Sequence, residues 1–173
     1  MENNKPVLYI FSGLPGTGKT TLSQLLAKNL KAVHLRIDTV EQAIRDLCSF
    51  KVEGEGYRLS YRVASDNLRL GLSVISDSCN PIVLTRDEWE QVAVDSESEF
   101  INIEVICSDK SEHRKRVETR KSSVKGLTLP TWEKVVNREY DIWTSKRVVI
   151  DTAFKTEYES FDELLSEIKL YFN

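Results

Sequence analysis

Eight consecutive residues, Gly13-Leu14-Pro15-Gly16-Thr17-Gly18-Lys19-Thr20, constrain this chain more than any other feature. They satisfy GxxxxGK[ST] at every position, directly after the apolar run Val7–Ser12 and directly before Lys19–Leu30. In that second segment Leu22, Leu25, Leu26, Ala27 and Leu30 recur at helical spacing, so the loop joins a buried strand to an amphipathic helix. Gly13, Gly16 and Gly18 let the backbone turn closely around an anion, with successive N–H groups and the helix N-terminus pointing inward. The bland alternative is a glycine-rich turn with Lys19 solvated; the strand, the helix and Lys19-Thr20 in register argue for a triphosphate cradle. The expected ligand is ATP with magnesium. Lys19 would reach the β and γ phosphates, the Thr20 hydroxyl would ligate the metal, and Pro15, Thr17 and Thr21 would complete the contacts.

Around this loop, short aliphatic runs alternate with segments of helical spacing, the pattern of βαβ units and a parallel sheet. Strands are predicted over Val7–Ser12, Ala32–Ile37, Ser73–Ser76, Ile101–Cys107 and Arg147–Ile150. Helices are predicted over Lys19–Leu30, Thr39–Cys48, Tyr57–Leu72, Thr85–Ser96, Lys110–Lys121, Thr131–Trp143 and Ser160–Tyr171. Lys51–Gly56 and Ser122–Pro130 read as loops. A length of 173 residues suits a single domain over 1–173.

Composition narrows the function. With 24 Lys and Arg against 27 Asp and Glu, nothing global draws the chain to nucleic acid or an anionic membrane. The run Val7–Phe11 is too short to span a bilayer and lacks a signal-peptide cleavage region, so a cytoplasmic protein without membrane contact is expected. Cys48, Cys79 and Cys107 form no CxxC pair and read as reduced, mostly buried thiols. A GTPase should carry NKxD, and Asn137-Arg138-Glu139-Tyr140 lacks its lysine and aspartate. No apolar strand ends in Asp-Glu, as a motor ATPase would require.

The use of the γ-phosphate must be read from the neighbouring strand ends, where open parallel sheets bind ligands. Arg36 and Asp38 stand at the end of the second strand, two residues apart and so on one side of it. Asp38 could take the proton from an attacking hydroxyl while Arg36 holds an anionic or polar substrate group, or Asp38 could cap the next helix. Asp77 ends the third strand and could hold magnesium; Asn80 could add a polar substrate contact, and turn capping before Pro81 explains both equally well. Tyr57, Arg58, Tyr61 and Arg62 could line an acceptor pocket or form a surface helix. Between Lys110 and Lys125 seven basic residues stand against Glu112 and Glu118. Arg116 and Arg120 would share a helix face there. Such a run is usually a solvated face; behind a phosphate loop it suits a lid of about residues 110–130 that neutralises phosphate charge. Trp132 and Trp143 would share one face of a single helix as core residues, and Arg138 on that helix would reach towards the nucleotide.

On the segments SGLPGTGKTTLS, HLRID, DNLRLGLSVISDS, CSDKSEHRKRVETR and LPTWEKV the chain resembles small P-loop kinases of the adenylate-kinase-like group. It is similar in particular to bacterial AAA-domain ATP-binding proteins related to gluconate kinase, chloramphenicol phosphotransferase, polynucleotide kinase and zeta-type toxins. The resemblance implies a three-layer α/β P-loop NTPase fold with a five-stranded parallel sheet of order 2-3-1-4-5. It also implies ATP-Mg as donor, Asp38 at the acceptor site, Arg116 and Arg120 as lid arginines, and Asp151-Thr152-Ala153 beside adenine. The expected activity is phosphoryl transfer to a hydroxyl of a small molecule. A nucleic-acid 5'-end kinase is less favoured by the acidic charge, and the remaining alternative is an ATP-binding regulatory module with slow hydrolysis.

Overall fold

A computed structural model describes residues 5–172. Its elements are β1 (Val7–Ser12), α1 (Lys19–Leu30), β2 (Val33–Arg36), α2 (Ile37–Cys48), α3 (Glu55–Arg69), β3 (Val74–Asp77), α4 (Val83–Asp95), β4 (Glu99–Ile106), α5 (Lys110–Thr119), α6 (Trp132–Val136), β5 (Val148–Asp151) and α7 (Glu157–Tyr171). The five strands form one sheet of order β2-β3-β1-β4-β5 with every pairing parallel, as the sequence led us to expect.

Alternation along β1 builds two cores. Tyr9 and Phe11 face one layer, where they pack with Leu22 and Leu26 of α1, Leu164 of α7 and the strand residues Ile101, Ile103, Val105 and Ile150. Leu8 and Ile10 face the other, against Ala64 and Leu68 of α3 and Trp89 and Ala93 of α4. A strand buried on both faces cannot alternate polar and apolar residues, which is why Val7–Phe11 reads as one apolar run. Because β1 sits between β3 and β4, successive crossovers leave it in opposite directions, and the crevice this opens lies at the carboxyl ends of the strands. No helix among the described residues is long and apolar enough to cross a membrane.

Five local expectations are corrected. The helix expected over Thr131–Trp143 stops at Val136, so Trp132 and Trp143 share no helix face. Tertiary contacts override the local pattern: the buried Arg86 guanidinium donates to the carbonyls of Asn80, Pro81 and Asp141 and lies 4.0 Å from the Trp143 ring centre and 4.9 Å from that of Tyr140. The Asp141 carboxylate accepts from the Val83 N–H at the start of α4 (2.8 Å), where the helix dipole favours an anion. Residues 137–147 are thereby drawn off as an irregular strap.

The second strand ends at Arg36, so Ile37 and Asp38 belong to the first turn of α2 rather than to a strand end; a carboxylate there suits the positive end of the helix dipole. Helix α5 ends at Thr119, and Arg120 is extended with φ −64° and ψ 149°. On α1, Leu22 and Leu26 are buried while Leu30 is exposed, since the helix has passed the edge of the sheet by its last turn. Of the three thiols only Cys107 is buried; Cys79 is half-buried and Cys48 exposed.

Candidate functional site

The loop between β1 and α1 has φ 134° at Gly13, 88° at Gly16 and 97° at Gly18, backbone that L side chains rarely adopt. Space is equally restrictive at two of them. A Cβ on Gly13 would stand 2.2 Å from the Val105 carbonyl oxygen, and one on Gly16 would stand 2.6 Å from Val117 Cγ2 on α5. Four groups from distant parts of the chain or the loop itself brace this shape. The Cys79 carbonyl accepts from Gly13 N–H (3.1 Å), the Thr17 hydroxyl donates to Leu14 O (3.0 Å), Thr152 Oγ1 donates to Thr17 O (2.8 Å), and His113 Nε2 lies 2.9 Å from Pro15 O. Because a carbonyl can only accept, the hydrogen of the neutral His113 ring is on Nε2. Burial holds this imidazole below its usual pKa range. Trp132 stacks edge-on against it at 5.2 Å, so the loop rests on α5, which in turn rests on α6.

Lys19 is buried and its ammonium donates to Leu14 O at 2.8 Å. Burial pulls its pKa down, opposed by the nearby carboxylates of Asp77 and Asp38. Thr20 and Thr21 follow in the first turn of α1, with Thr21 exposed.

Beside Lys19 the ends of β2 and β3 bring four charged groups together. Asp77 is buried, and its Oδ2 accepts no hydrogen bond; the neighbouring nitrogens are His34 Nε2 at 3.8 Å and the cationic Arg36 Nε at 3.9 Å. A carboxylate oxygen left bare inside a protein is costly unless a ligand completes it. Arg36 Nη2 lies 3.9 Å from Asp38 Oδ2, and Arg36 Nη1 donates to Ser123 Oγ at 2.7 Å, which holds residues 121–125 over the cluster. Asp38 itself is exposed and caps nothing through its side chain. Arg120 completes the group: burial lowers its pKa, while Asp38 stabilises its charge.

Arg116 is turned elsewhere. Its guanidinium donates to Thr152 Oγ1 (2.7 Å), to the Thr152 carbonyl (2.9 Å) and to Glu112 Oε1, while Glu112 Oε2 accepts from Phe154 N–H (2.8 Å). The two arginines expected on one helix face therefore serve different places, because α5 ends between them. Arg116 and Thr152, with Gly16, Gly18, Thr21 and Lys155, border a cavity of about 220 Å³ that opens against the loop.

Two expected substrate contacts point inward. The Asn80 amide is fully buried, donating to Phe11 O (3.1 Å) and Ser12 Oγ (3.0 Å) and accepting from Ser78 Oγ (2.9 Å). Tyr61 packs edge-on against Trp89 at 4.6 Å, its hydroxyl near the Thr85 carbonyl, and burial raises its pKa. Sequence reasoning missed His113, Cys79, Glu112 and Ser123. Only the basic segment around His113 and Glu112 carried a signal, since the hydrogen-bonding partners of these residues lie far along the chain.

Comparison with known proteins agrees with this geometry. Residues 8–137 match the AAA domain family. An adenylyl-sulfate kinase of Shewanella halifaxensis is 27% identical over 165 residues, 88% of this chain and 76% of that protein. Among solved structures, an APS kinase of Mycobacterium tuberculosis in complex with AMPPNP and APS superposes with TM-score 0.72 at 16% identity, covering 96% of this chain and 99% of the other. A gluconokinase from Sinorhizobium meliloti gives TM-score 0.67 at 15% identity over 98% of both chains. The chain thus belongs to the AAA domain family, and its fold is that of the small P-loop kinases of the adenylate-kinase-like group.

Proposed function

We propose that the protein is an ATP-dependent phosphotransferase that moves the γ-phosphate of ATP to a hydroxyl of a small molecule. The observation that carries this reading is the convergence of the buried Lys19 with Asp77, Asp38, Arg36 and Arg120 at the carboxyl ends of β1, β2 and β3. In it, the backbone N–H groups from Gly16 to Thr21 cradle the phosphates, with Gly13, Pro15 and Thr17 shaping the loop, and Lys19 exchanges the Leu14 carbonyl for phosphate oxygens. Arg116 and Thr152 border the nucleotide on the cavity side.

Magnesium suits the remaining donors. Thr20 offers a hydroxyl and Asp77 a buried carboxylate oxygen without a partner, while the described residues hold no cluster of three His, Cys, Asp or Glu. Such a set fits a small hard cation that keeps its waters and leans on triphosphate oxygens, as Mg²⁺ does. When bound, the ion would offset charge on the bridging phosphate oxygens.

Asp38 is the proton acceptor in this reading. As its carboxylate takes the acceptor hydroxyl's proton, the oxygen attacks the γ-phosphorus and the bond to ADP breaks. Arg120 and Lys19 stabilise the charge spread over the transferring group. The residues following α5 to about 130 act as a lid, held by Arg36 and Ser123. Tyr61 and Asn80 take no part, since their polar groups are engaged inside the protein.

The test is incubation with γ-labelled ATP, magnesium and a metabolite extract, followed by mass spectrometry of the labelled product. Labelling lost in Asp38→Asn with ATP affinity kept supports the base assignment, and full activity in that variant removes it. ATP bound but never passed to any acceptor, together with nucleotide-dependent capture of a protein partner, would favour the regulatory module.

A further inference from the structure

A second cavity, of about 600 Å³, lies at the β2 edge of the sheet, bordered by α1, β2, α2 and residues 123–125. We infer that it receives the acceptor and selects a compact polyhydroxylated anion, a sugar phosphate or sugar acid, rather than a neutral sugar or a nucleotide. This rests on the kinase reading above and adds the acceptor's chemistry.

Charge is the first argument. The walls carry two cations, Arg36 of β2 and Lys125 of the segment that roofs the cavity, and no carboxylate. Arg36 is also under-used: Ser123 takes one N–H, the carboxylates of Asp38 and Asp77 stand at 3.9 Å, and its buried Nε has no partner. A guanidinium with free donors beside an uncompensated lysine is a site for carboxylate or phosphate.

The rest of the lining argues for hydroxyl groups. Gln24, His34, Thr39 and Ser123 contribute neutral hydrogen-bonding side chains. Burial holds the His34 imidazole below its usual pKa range, so at neutral pH it adds hydrogen-bonding capacity and no charge. The apolar part is aliphatic, from Leu35, Val40 and Val124, and no aromatic ring borders the cavity. A nucleobase is ordinarily held by stacking on a ring, which this cavity lacks.

Position is the last argument. Arg36 forms the cavity's inner wall and faces Asp38 and Asp77, so an anion held there leaves its hydroxyls next to the reacting cluster. Ser123 and Lys125 belong to the segment that Arg36 holds down, so the same contact that anchors the roof completes the anion site.

The experiment is calorimetric titration of the full chain saturated with AMPPNP and magnesium, which fills the phosphate loop so that added anions must bind elsewhere. The probes are glucose 6-phosphate, gluconate, glucose and AMP. Expected is binding of glucose 6-phosphate or gluconate at least about tenfold tighter than glucose and AMP, weakened about tenfold by Lys125→Gln and by Arg36→Gln. Preference for glucose 6-phosphate identifies phosphate as the anion read, and preference for gluconate identifies carboxylate. Equal binding of glucose, tighter binding of AMP, binding of neither anionic sugar, or an unchanged affinity in Lys125→Gln overturns the inference. Lys125 is exposed, so its variant tests the site even if Arg36→Gln misfolds. Failure of the kinase reading is seen separately, as no binding of AMPPNP in the loading step; the sugar titration is then repeated on the free protein.

Discussion

Arg116 and Arg120 stand four residues apart and lie in different halves of the candidate site: Arg116 donates to the Thr152 hydroxyl and carbonyl, whereas Arg120 has Asp38 as its nearby counter-charge. Their replacements should therefore separate binding from chemistry. Arg116→Ala should weaken AMPPNP binding by about tenfold, the usual size of a lost charge-assisted contact. Arg120→Ala should leave that affinity nearly unchanged and lower turnover by about a hundredfold or more, as expected for a group stabilising transition-state charge. Both variants shifting the same constant equally would contradict this division.

Lys19 is buried with only a loop carbonyl as partner, so its charge is poised for phosphate. Lys19→Ala should reduce AMPPNP affinity by about tenfold to a hundredfold while leaving the fold intact, because the change removes a buried charge rather than a packing group. Calorimetry gives the affinity, and an unaltered circular dichroism spectrum would show that the loss is local.

At Gly16, strain and collision coincide: φ is 88° and an added Cβ meets Val117 Cγ2 at 2.6 Å. Gly16→Ala should cost about 1–3 kcal/mol of stability by chemical denaturation and impair nucleotide binding as well. Shortening the obstacle in Gly16→Ala/Val117→Ala should recover binding only in part, since the second change relieves the clash and not the backbone strain.

Both histidines are held below their usual pKa range by burial. In each, the folded state releases its proton more readily than the unfolded chain, so unfolding takes up protons between the folded pKa and the unfolded value of about 6.5. Stability from this source is complete above that unfolded value and falls as pH drops below it. Urea denaturation at pH 7.5 and 5.5 should show the decline, and His113→Gln, which can still donate to Pro15 O, should decline less steeply. An identical slope in that variant would assign the effect to other groups.

Arg86 holds residues 137–147 against the start of α4 through three carbonyls and two rings. Arg86→Met keeps much of the volume and removes the donors, leaving buried carbonyls without partners. A loss of about 3 kcal/mol is expected, and Trp143 fluorescence should shift to the red as its surroundings become wet.

How far the sequence could be read depended on whether the deciding contact was local. β1, the phosphate loop and α1 fall where Val7 to Leu30 place them, because apolar period, glycines and cap positions act within a few residues. Strand order followed from resemblance, not from periodicity. The helix expected through Trp143 failed because Arg86, some fifty residues upstream, competes for the backbone. The paired arginines failed likewise: nothing between Thr119 and Lys121 announces an end to α5, and the half-buried Arg120 is drawn towards Asp38 across the site. Asn80 and Asp77, three residues apart, had the same polar promise on paper. Both are buried, and hydrogen bonding separates them, since Asn80 finds partners in β1 while one oxygen of Asp77 finds none.

The hydrogen bond from Thr152 Oγ1 to the Thr17 carbonyl joins residues 135 positions apart. Its two ends are the loop after β1 and the turn after β5, so this brace on the loop forms only once β5 has been made. Closing so long a loop is slow and gains little until β5 docks. A nascent or truncated chain ending before Val148 would thus carry the whole phosphate-binding motif and still lack a finished anion site. Competence to bind nucleotide would arise late, as a report that the sheet is complete.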